Sequence, residues 1–284
     1  MFKLDVDARA KINLTLDVLY RRPDGYHEVE MIMQSIALKD HLTLELLPGR
    51  AIEVSCSTPE LLCDESNLAY KAAKLMIEEF SLDAGVKITL NKNIPLAAGL
   101  AGGSADAAAV MIGMNELFGL KKSEEDLMML GKTIGADIPF CIHGGTAVAR
   151  GIGEKLTPLK PVPKIALLLV KPHYSVSTKQ VYSRLNVKDI KSRPDTAAMI
   201  RTILNEDVAA MAKGLCNVLE EVTFGLYPEL SFIKEELRKN GALGSLMSGS
   251  GPTVYGIFET RSAAQRAAAR MDTGNKAIII SETQ

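Results

Sequence analysis

The chain has 284 residues, of which 47% are hydrophobic and 24% are charged, and its formal net charge is −1. This composition is ordinary for a globular protein, and the small charge excludes a strong attraction to nucleic acid or to an acidic membrane surface. The longest apolar run, residues 165–170, is too short to span a bilayer, so we expect no membrane partner. The cysteines lack metal-binding or redox spacing, which favours free thiols in a reducing cytoplasm: Cys56, Cys63, Cys141 and Cys216.

The first third of the chain is predicted to consist mainly of strands. Apolar and polar side chains alternate over residues 12–18, which predicts an amphipathic strand with Lys11 and Asn13 on the face opposite the core. A turn is predicted at 21–25, where proline and glycine occupy turn positions. Further strands are predicted at 29–33, 42–46, 52–54 and 86–90, and a helix at 67–80 with Ser66 or Asn67 as its cap.

A glycine-rich stretch, residues 95–105, joins the strand at 86–90 to a predicted helix with Ser104 as its cap. Its glycines indicate a backbone that bends tightly or lets another group approach its N–H groups: Gly99, Gly102 and Gly103. Strand, glycine loop and helix N-terminus in this order predict a phosphate site, because the loop N–H groups and the helix dipole converge there. The alternative is a turn built for close packing. The spacing fits neither a Walker A loop nor a Rossmann fingerprint.

Beyond this helix, the pattern predicts mixed helices and strands. Ser123–Asp126 reads as a capping box for a helix that ends at Gly135, and a strand is predicted from Cys141 to Arg150. Three prolines within 157–163 predict a linker, so we place a domain boundary after residue 158. For residues 159–284 we predict a split β-α-β arrangement. Its strands are predicted at 165–170, 242–247, 253–258 and 277–280, and its helices at 195–204, 207–222, 228–239 and 261–271. A Ser/Gly loop is predicted at 248–251.

Two ionisable side chains are candidates for catalysis. Asp137 lies at a predicted break between helix and strand, where the backbone aims the side chain; the alternative is an ordinary turn or cap residue. Lys11 is a cation in a largely apolar strand and shares a face with Asn13; the alternative is a lysine that faces solvent. The histidines lack the spacing of a zinc site, and no serine has the surroundings of a nucleophile elbow.

Three motifs occur in the order found in the GHMP small-molecule kinases, which the chain resembles over nearly its whole length: residues 10–14, 95–104 and 249–252. More narrowly, Arg22–His27 and Gly135–Pro139 resemble the member that phosphorylates the 2-hydroxyl of 4-diphosphocytidyl-2-C-methyl-D-erythritol in non-mevalonate isoprenoid biosynthesis. The resemblance implies an α+β fold of two domains. The N-terminal domain would be like ribosomal protein S5 domain 2 and the C-terminal domain ferredoxin-like, with the active site in the cleft between them.

The same resemblance implies roles for individual residues. Asp137 would be the catalytic base and Lys11 the lysine paired with it. Mg²⁺ would accompany ATP, with Ser104 near the metal and no protein ligand assigned. The implied binding residues for the ATP phosphates are Pro95, Leu96, Ala97, Ala98, Gly99, Leu100, Ala101, Gly102, Gly103, Ser104 and Ala105. The implied substrate residues are Asn13 near the reacting hydroxyl, Tyr26, His27 and Tyr182 around the cytosine, and Thr178.

Two positions depart from the family pattern. Arg9 replaces a usual proline, which affects strand entry, and Ala105 replaces a frequent second serine, which removes one hydroxyl that could touch phosphate. Two alternative functions stay open from the sequence. One is another GHMP kinase of the homoserine or phosphomevalonate type, and the other is a non-catalytic nucleotide or metabolite sensor on the same fold. We expect a monomer or a weak homodimer.

Overall fold

The structure is a computed structural model that describes residues 3–271, Gly274 and residues 276–284. The chain forms two compact units, each assembled from three separate segments. Unit 1 comprises Met1–Ala10, Leu38–Leu96 and Ala101–Gly144. Unit 2 comprises Lys11–Ala37, Ala97–Leu100 and Gly145–Gln284. The domain boundary after residue 158 stays a prediction from the sequence.

Strands and helices occur in short runs along the chain. The strands are β1 (Lys3–Arg21), β2 (His27–Cys56), β3 (Ala84–Asn91), β4 (Thr146–Gly151), β5 (Lys155–Pro158), β6 (Ala166–Pro172), β7 (Cys216–Asn217), β8 (Gly244–Met247), β9 (Val254–Phe258) and β10 (Lys276–Glu282). The helices are α1 (Leu68–Glu79), α2 (Gly102–Leu117), α3 (Glu124–Gly131), α4 (Ile138–His143), α5 (Thr178–Arg184), α6 (Thr196–Leu204), α7 (Val208–Lys213), α8 (Leu219–Leu226), α9 (Glu229–Lys239) and α10 (Arg261–Arg270).

In unit 1, helix α2 is largely buried over residues 105–114. Its middle approaches two strands closely, because a Cβ added to Gly113 would lie 3.0 Å from both Leu44 Cδ2 and Val6 Cγ2. Helix α1 packs against it through a face of mostly small side chains: Ala69, Ala72, Ala73, Met76 and Ile77. Strand β3 pairs with β2 in the same unit. Tight packing on these sides fixes the direction in which the N-terminus of α2 points.

Unit 2 contains two arrays of paired strands. The first is formed by β4, β5, β7 and the parts of β1 and β2 that belong to this unit; its strand order is β5-β4-β2-β1-β7, and β7 runs parallel to β1 with Cys216 opposite Thr15. In the second, the order is β10-β6-β9-β8, and every neighbouring pair is antiparallel. Helices separate β6 from β8 along the chain, and α10 separates β9 from β10. This is the split β-α-β arrangement of a ferredoxin-like domain, so the predicted α+β class is confirmed.

The strand predicted from Cys141 is wrong at its beginning. Residues Ile138–His143 form the short helix α4, with Pro139 near its start, where the missing N–H of proline costs no helical hydrogen bond. Gly144 ends this helix with a φ of +72°, and strand β4 begins only at Thr146. A proline next to a predicted break therefore marked the first turn of a helix.

The helix predicted at 207–222 is also wrong, because the structure divides it. Helix α7 ends at Lys213, Cys216 and Asn217 pair with β1, and α8 begins at Leu219. The Asn217 side-chain oxygen accepts the Leu219 N–H at 3.0 Å and so starts the new helix. The three strands predicted between 29 and 54 are parts of the single strand β2.

Several local predictions are confirmed. Asn67 caps α1, since its Oδ1 accepts the Ala69 N–H at 2.9 Å. Ser123 and Asp126 form the predicted capping box of α3. All four cysteines carry free thiols. Across the residues that the structure describes, no helix has the length and apolar character needed to cross a membrane.

Candidate active site

Lys11 and Asn13 are buried side chains of strand β1 in unit 2. Their exposed fractions are 4% and 0%, so the predicted placement on an outward face is wrong. Lys11 Nζ donates to Asn13 Oδ1 at 2.9 Å, and the same oxygen accepts the Gly249 N–H at 3.1 Å. Asn13 Nδ2 lies 3.1 Å from Met31 Sδ, which completes its surroundings. A buried ammonium and amide in contact are typical of a functional site, because desolvating them is costly.

The part of the glycine-rich loop in unit 2 is held through its carbonyl groups. The carbonyls of residues 98, 99 and 100 accept hydrogen bonds from Thr253 N at 3.3 Å, Ser248 Oγ at 2.9 Å and Lys11 N at 3.1 Å, respectively. Because these three consecutive carbonyls are engaged by the protein, the orientation of the peptide groups in this segment is fixed.

Gly99 has no possible replacement at this point of the loop. Its φ is +75°, and a Cβ there would lie 2.3 Å from the Ser248 carbonyl oxygen. The close-packing alternative considered for this stretch is therefore correct for Gly99. Close packing and ligand binding are compatible here, because the Ser248 carbonyl occupies only the space that a Cβ of residue 99 would take.

In unit 1, helix α2 starts at Gly102. Its cap position is Ala101 with a left-handed φ of +58°, so the prediction that Ser104 caps the helix is wrong; Ser104 is the third helical residue. The first helical hydrogen bond joins Ala105 N to Ala101 O at 2.8 Å. Among the described residues, none accepts a hydrogen bond from the N–H groups of Gly102, Gly103 or Ser104. Such a helix start is suited to binding an anion.

Asp137 occupies the residue before helix α4 in unit 1 and is partly buried. Its φ and ψ of −85° and −12° are helical, and its carboxylate does not cap the helix that follows. Its carbonyl accepts the Cys141 N–H at 3.0 Å, which ties its backbone to α4. The carboxylate is thus carried on a rigid helix start and is not used to cap that helix.

In unit 2, the structure brings together His27 and Tyr182, with ring centroids 5.2 Å apart at an angle of 41°. Burial, and then the charge of Arg21, lower the pKa of His27, so its ring is neutral around pH 7. Tyr26 is 62% exposed beside them, at the end of the predicted turn. Thr178, at the start of α5, shares a 2.8 Å hydrogen bond with the hydroxyl of Ser250.

The sequence analysis missed a buried charged cluster in unit 1, made of Lys92, Asp40 and Asp106. Lys92 Nζ contacts a carboxylate oxygen of both aspartates, at 2.6 Å for Asp106, and none of the three side chains is more than 4% exposed. Burial, opposed by Lys92 and assisted by Asp40, raises the pKa of Asp106 to about 7. The only sequence signal is a charged residue within the alanine-rich start of α2.

Comparisons with known proteins agree with this architecture. The sequence matches the family described as GHMP kinases N terminal domain over residues 67–145, and GHMP kinases C terminal over residues 199–277. A crystal structure of 4-(cytidine 5'-diphospho)-2C-methyl-D-erythritol kinase is similar with a TM-score of 0.85 and 34% identity over 99% of each chain. Homoserine kinase from Cytophaga hutchinsonii shares the fold, with a TM-score of 0.78 and 21% identity over 99% of this chain and 94% of that one. Fold and motifs together define a small-molecule kinase of the GHMP class.

More similar relatives narrow the class. The 4-diphosphocytidyl-2-C-methyl-D-erythritol kinase of Caldicellulosiruptor saccharolyticus is 50% identical over 97% of this chain and 95% of its own length. The enzyme of the same name from Geobacillus thermodenitrificans is 51% identical over 93% of this chain and 91% of its own. The chain belongs to the 4-diphosphocytidyl-2-C-methyl-D-erythritol kinase family.

Proposed function

We propose that the chain transfers the terminal phosphoryl group of ATP to the 2-hydroxyl of 4-diphosphocytidyl-2-C-methyl-D-erythritol, a step of non-mevalonate isoprenoid precursor biosynthesis. The observation that carries this proposal is the 50% identity over 276 residues with an enzyme of that name. The buried pair Lys11 and Asn13 and the tilted ring pair His27 and Tyr182 support it, because they provide a charged group for phosphate chemistry and rings for a base.

The loop and the helix start suit the phosphates of ATP. The carbonyls of residues 98–100 are bound by the protein, which keeps these oxygens from repelling an anion. The first three N–H groups of α2 and the positive end of its dipole are the ordinary features of a phosphate site.

The metal that accompanies ATP fits a site of this type. Within the described residues, no group of three or more His, Cys, Asp or Glu side chains could hold a metal ion. Mg²⁺ commonly takes few protein ligands and is bound by phosphate oxygens and water, to which the Ser104 hydroxyl could add one contact. When bound, Mg²⁺ supplies positive charge that neutralises the phosphate oxygens.

Removal of the proton from the substrate hydroxyl is expected to occur late in the reaction. An ordinary carboxyl and a water-like hydroxyl differ by about 12 pKa units, or roughly 16 kcal/mol. A turnover of about 10 per second allows a total barrier of only about 16 kcal/mol. Complete deprotonation before transfer would use all of it, so the proton leaves as the phosphoryl group reaches the oxygen.

The proposal gives Asp137 and Lys11 different roles in phosphoryl transfer. In the proposal, the Asp137 carboxylate orients the hydroxyl and receives its proton at the end of transfer. Lys11 provides a positive charge for the transferred phosphate, and its position in unit 2 is fixed by the 2.9 Å hydrogen bond to Asn13. A low-dielectric location makes such a fixed charge effective, and Lys11 is only 4% exposed.

Cytosine recognition rests on the aromatic residues of unit 2. His27 and Tyr182 already contact each other, and exposed Tyr26 provides a third ring beside them. A neutral His27 can donate one hydrogen bond and accept another, which suits the mixed polar edge of cytosine. Stacking of a base on an aromatic ring contributes roughly 1–3 kcal/mol.

The variant Asp137→Asn tests the catalytic assignment. We expect kcat to fall by about 100-fold or more, since general-base catalysis contributes about 10²–10⁴-fold, while the KM for ATP changes little. Steady-state kinetics with an ADP-release assay measures both. Asp83→Asn, on the exposed surface of the same unit, is the matched control and should keep the activity of the unmodified enzyme. A kcat within tenfold of the unmodified enzyme would contradict the role of Asp137.

A panel of alcohol acceptors tests the substrate. With Mg²⁺ and ATP, the cytidine-containing acceptor should react far faster than homoserine, mevalonate or phosphomevalonate. Tyr26→Ala should raise the KM of that acceptor by roughly tenfold and leave the KM of ATP unchanged, because only the acceptor stacks on the ring. A preference for another acceptor, or equal changes in both KM values, would refute the assignment. Phosphoryl transfer of any kind excludes a non-catalytic sensor.

We further propose a cytoplasmic enzyme that is a monomer or a weak homodimer. The four free thiols suit a reducing compartment. Sedimentation velocity at several protein concentrations tests the oligomeric state, since a weak dimer dissociates on dilution and a stable one does not.

A further inference from the structure

The loop that follows β8, residues Ser248–Gly251, contacts three separate parts of the candidate site in unit 2. We call it the Ser/Gly loop. Its first serine hydroxyl donates to Gly99 O at 2.9 Å, its first glycine N–H donates to Asn13 Oδ1 at 3.1 Å, and its second serine shares a 2.8 Å hydrogen bond with the Thr178 hydroxyl. The position of this one loop therefore sets a phosphate-loop residue and two substrate-side residues.

The pairing of β8 with β9 holds only the beginning of the Ser/Gly loop. The last ladder pair joins Met247 to Val254, and Ser248 N then donates to Thr253 O at 2.9 Å. Beyond that point the loop bends back on itself, with a 3.0 Å bond from Gly251 N to the Ser248 carbonyl. A support from outside the hairpin is needed to fix the residues in between.

Asn217 supplies most of that support, beside a 3.4 Å bond from Thr223 Oγ1 to the Ser250 carbonyl. Its Nδ2 donates to Met247 O and to Gly249 O, both at 2.8 Å, and its Oδ1 accepts the Leu219 N–H at 3.0 Å. Both amide hydrogens and the oxygen are used, and the side chain is 4% exposed, so only one orientation of the amide satisfies all its partners. The contacts that the structure describes for the Asn217 side chain are with backbone groups, so we do not assign it a catalytic role.

Glu220, three positions further along the chain, binds the same end of strand β8. Its Oε1 accepts the Met247 N–H at 2.8 Å, and its Oε2 pairs with Lys234 Nζ at 2.5 Å. Asn217 and Glu220 thus hold the N–H and the carbonyl of one residue, Met247, immediately before the Ser/Gly loop. The pairing of β8 with β9 does not restrain Met247 in this way, because Met247 belongs to the last pair of the ladder.

We propose that Asn217, assisted by Glu220, is a positioning residue for phosphoryl transfer, which acts through the Ser/Gly loop on Asn13, Gly99 and Thr178. The proposal rests on the function proposed above. It predicts that loosening the loop alters the binding and orientation of the acceptor, and not only the amount of folded protein.

The main test is Asn217→Asp, with Asn240→Asp as a matched control. Aspartate keeps the size of the side chain and still accepts the Leu219 N–H at the start of α8, where a negative charge is favourable, but it places an oxygen against two carbonyls. Asn240 donates one 2.9 Å bond to Glu236 O at the end of α9, so the control loses one amide donor away from the loop. We expect Asn217→Asp to lower kcat about 30-fold and to raise the acceptor KM about tenfold, with the control close to the unmodified enzyme.

The KM separates positioning from folding. A merely structural role would reduce the apparent kcat in proportion to the folded fraction and leave both KM values unchanged, and that result would overturn the proposal. The Glu220 variants add a second comparison: Glu220→Ala should raise the acceptor KM about fivefold. Glu220→Gln, which retains an acceptor for the Met247 N–H, should stay within twofold. Equal effects of both Glu220 variants would contradict the proposed contact.

Hydrogen exchange provides a readout that does not depend on the identity of the substrate. In Asn217→Asp, the amide of Gly249 should exchange at least about tenfold faster than in Asn240→Asp, measured by mass spectrometry on peptides that cover the Ser/Gly loop. Unchanged exchange would refute the positioning role even if the proposed reaction is confirmed. If the unmodified enzyme prefers another alcohol, the same kinetic comparison is made with that acceptor, so the two proposals fail separately.

Discussion

The two units bury polar side chains in different ways. In unit 1, Lys92 lies between Asp40 and Asp106, and these charged groups are almost completely removed from solvent. In unit 2, Asn13 and Asn217 are buried neutral amides that fix the Ser/Gly loop. Asp106 retains one carboxylate oxygen without a hydrogen-bond partner among the described residues, whereas Asn217 uses every hydrogen-bonding atom of its amide.

This difference shows which of the two kinds of buried contact depends on pH. One ammonium cannot neutralise two buried carboxylates, so a proton is drawn to the more weakly bound of them. Asp40 accepts backbone N–H groups from Asn93 and Ile94 in addition to Lys92, whereas Asp106 accepts from Lys92 and keeps its other carboxylate oxygen without a partner among the described residues. The proton therefore favours Asp106, whose pKa is raised by burial to about 7. A neutral amide has no comparable equilibrium, so its restraint is the same across this pH range.

The largest expected effect on this comparison comes from Lys92→Met. The substitution leaves two buried carboxylates without their cation, and loss of one partner of a buried ion pair costs about 3–5 kcal/mol. Urea unfolding at pH 8 measures the loss, which should be smaller at pH 5.5 because Asp106 is then protonated. Lys87→Met, on the partly exposed surface of β3, is the control and should change the unfolding free energy by less than about 1 kcal/mol. Equal losses in both variants would mean that the charged cluster has no special role.

A smaller effect is expected for Asp106→Asn, and it concerns pH. The folded pKa of Asp106, about 7, lies above its ordinary value of 3.8, so the folded state binds the extra proton and stability falls as pH rises through this window. The shift sets an upper limit of about 4 kcal/mol on that loss. The amide variant cannot titrate, so its unfolding free energy should fall less between pH 5 and pH 8 than that of the unmodified protein. Parallel pH profiles in urea unfolding would show that Asp106 is not the responsible group.

The smallest effect is expected for Ser248→Ala in unit 2. The hydroxyl is fully buried and donates to Gly99 O, so its loss should cost about 1 kcal/mol, equally at pH 5.5 and pH 8. Ser245→Ala is the matched control, because its hydroxyl donates to Tyr255 O at 2.9 Å and is also buried. Both variants should lose similar stability in urea unfolding, but only Ser248→Ala should raise the KM for ATP. A pH-dependent loss, or the same ATP KM in both variants, would contradict the comparison.

Local patterns predicted the features that depend on few neighbours. The caps at Asn67 and Ser123 are confirmed because a helix start is determined by residues within one turn. The order of strands and helices after residue 165 was sufficient to predict a split β-α-β arrangement, since that topology follows from the sequence of elements. The short helix at Ile138–His143 was not predicted, because too few residues carry a helical period.

Burial and long-range contacts were beyond the sequence patterns. Alternation along β1 placed Lys11 outside, but the strand is covered on both faces over this part, so the period no longer separates core from solvent. The charged cluster joins Lys92 to residues 52 and 14 positions away, and Asn217 contacts carbonyls 30 and 32 positions away. Contacts between residues this far apart in the sequence depend on tertiary packing. The assignments of Asp137, Lys11 and the substrate residues to catalysis remain predictions.

The contact between Gly99 and the Ser248 carbonyl restricts how the enzyme can change under selection. Any side chain at position 99 would clash with backbone atoms, which cannot move aside as the end of a flexible side chain can. The left-handed φ of this residue also disfavours any side chain. An inhibitor that rests against this stretch of main chain would therefore touch a surface that single substitutions at position 99 cannot reshape. Resistance would have to arise at other side chains that the inhibitor contacts, and its contacts with the backbone here would be retained when those side chains change.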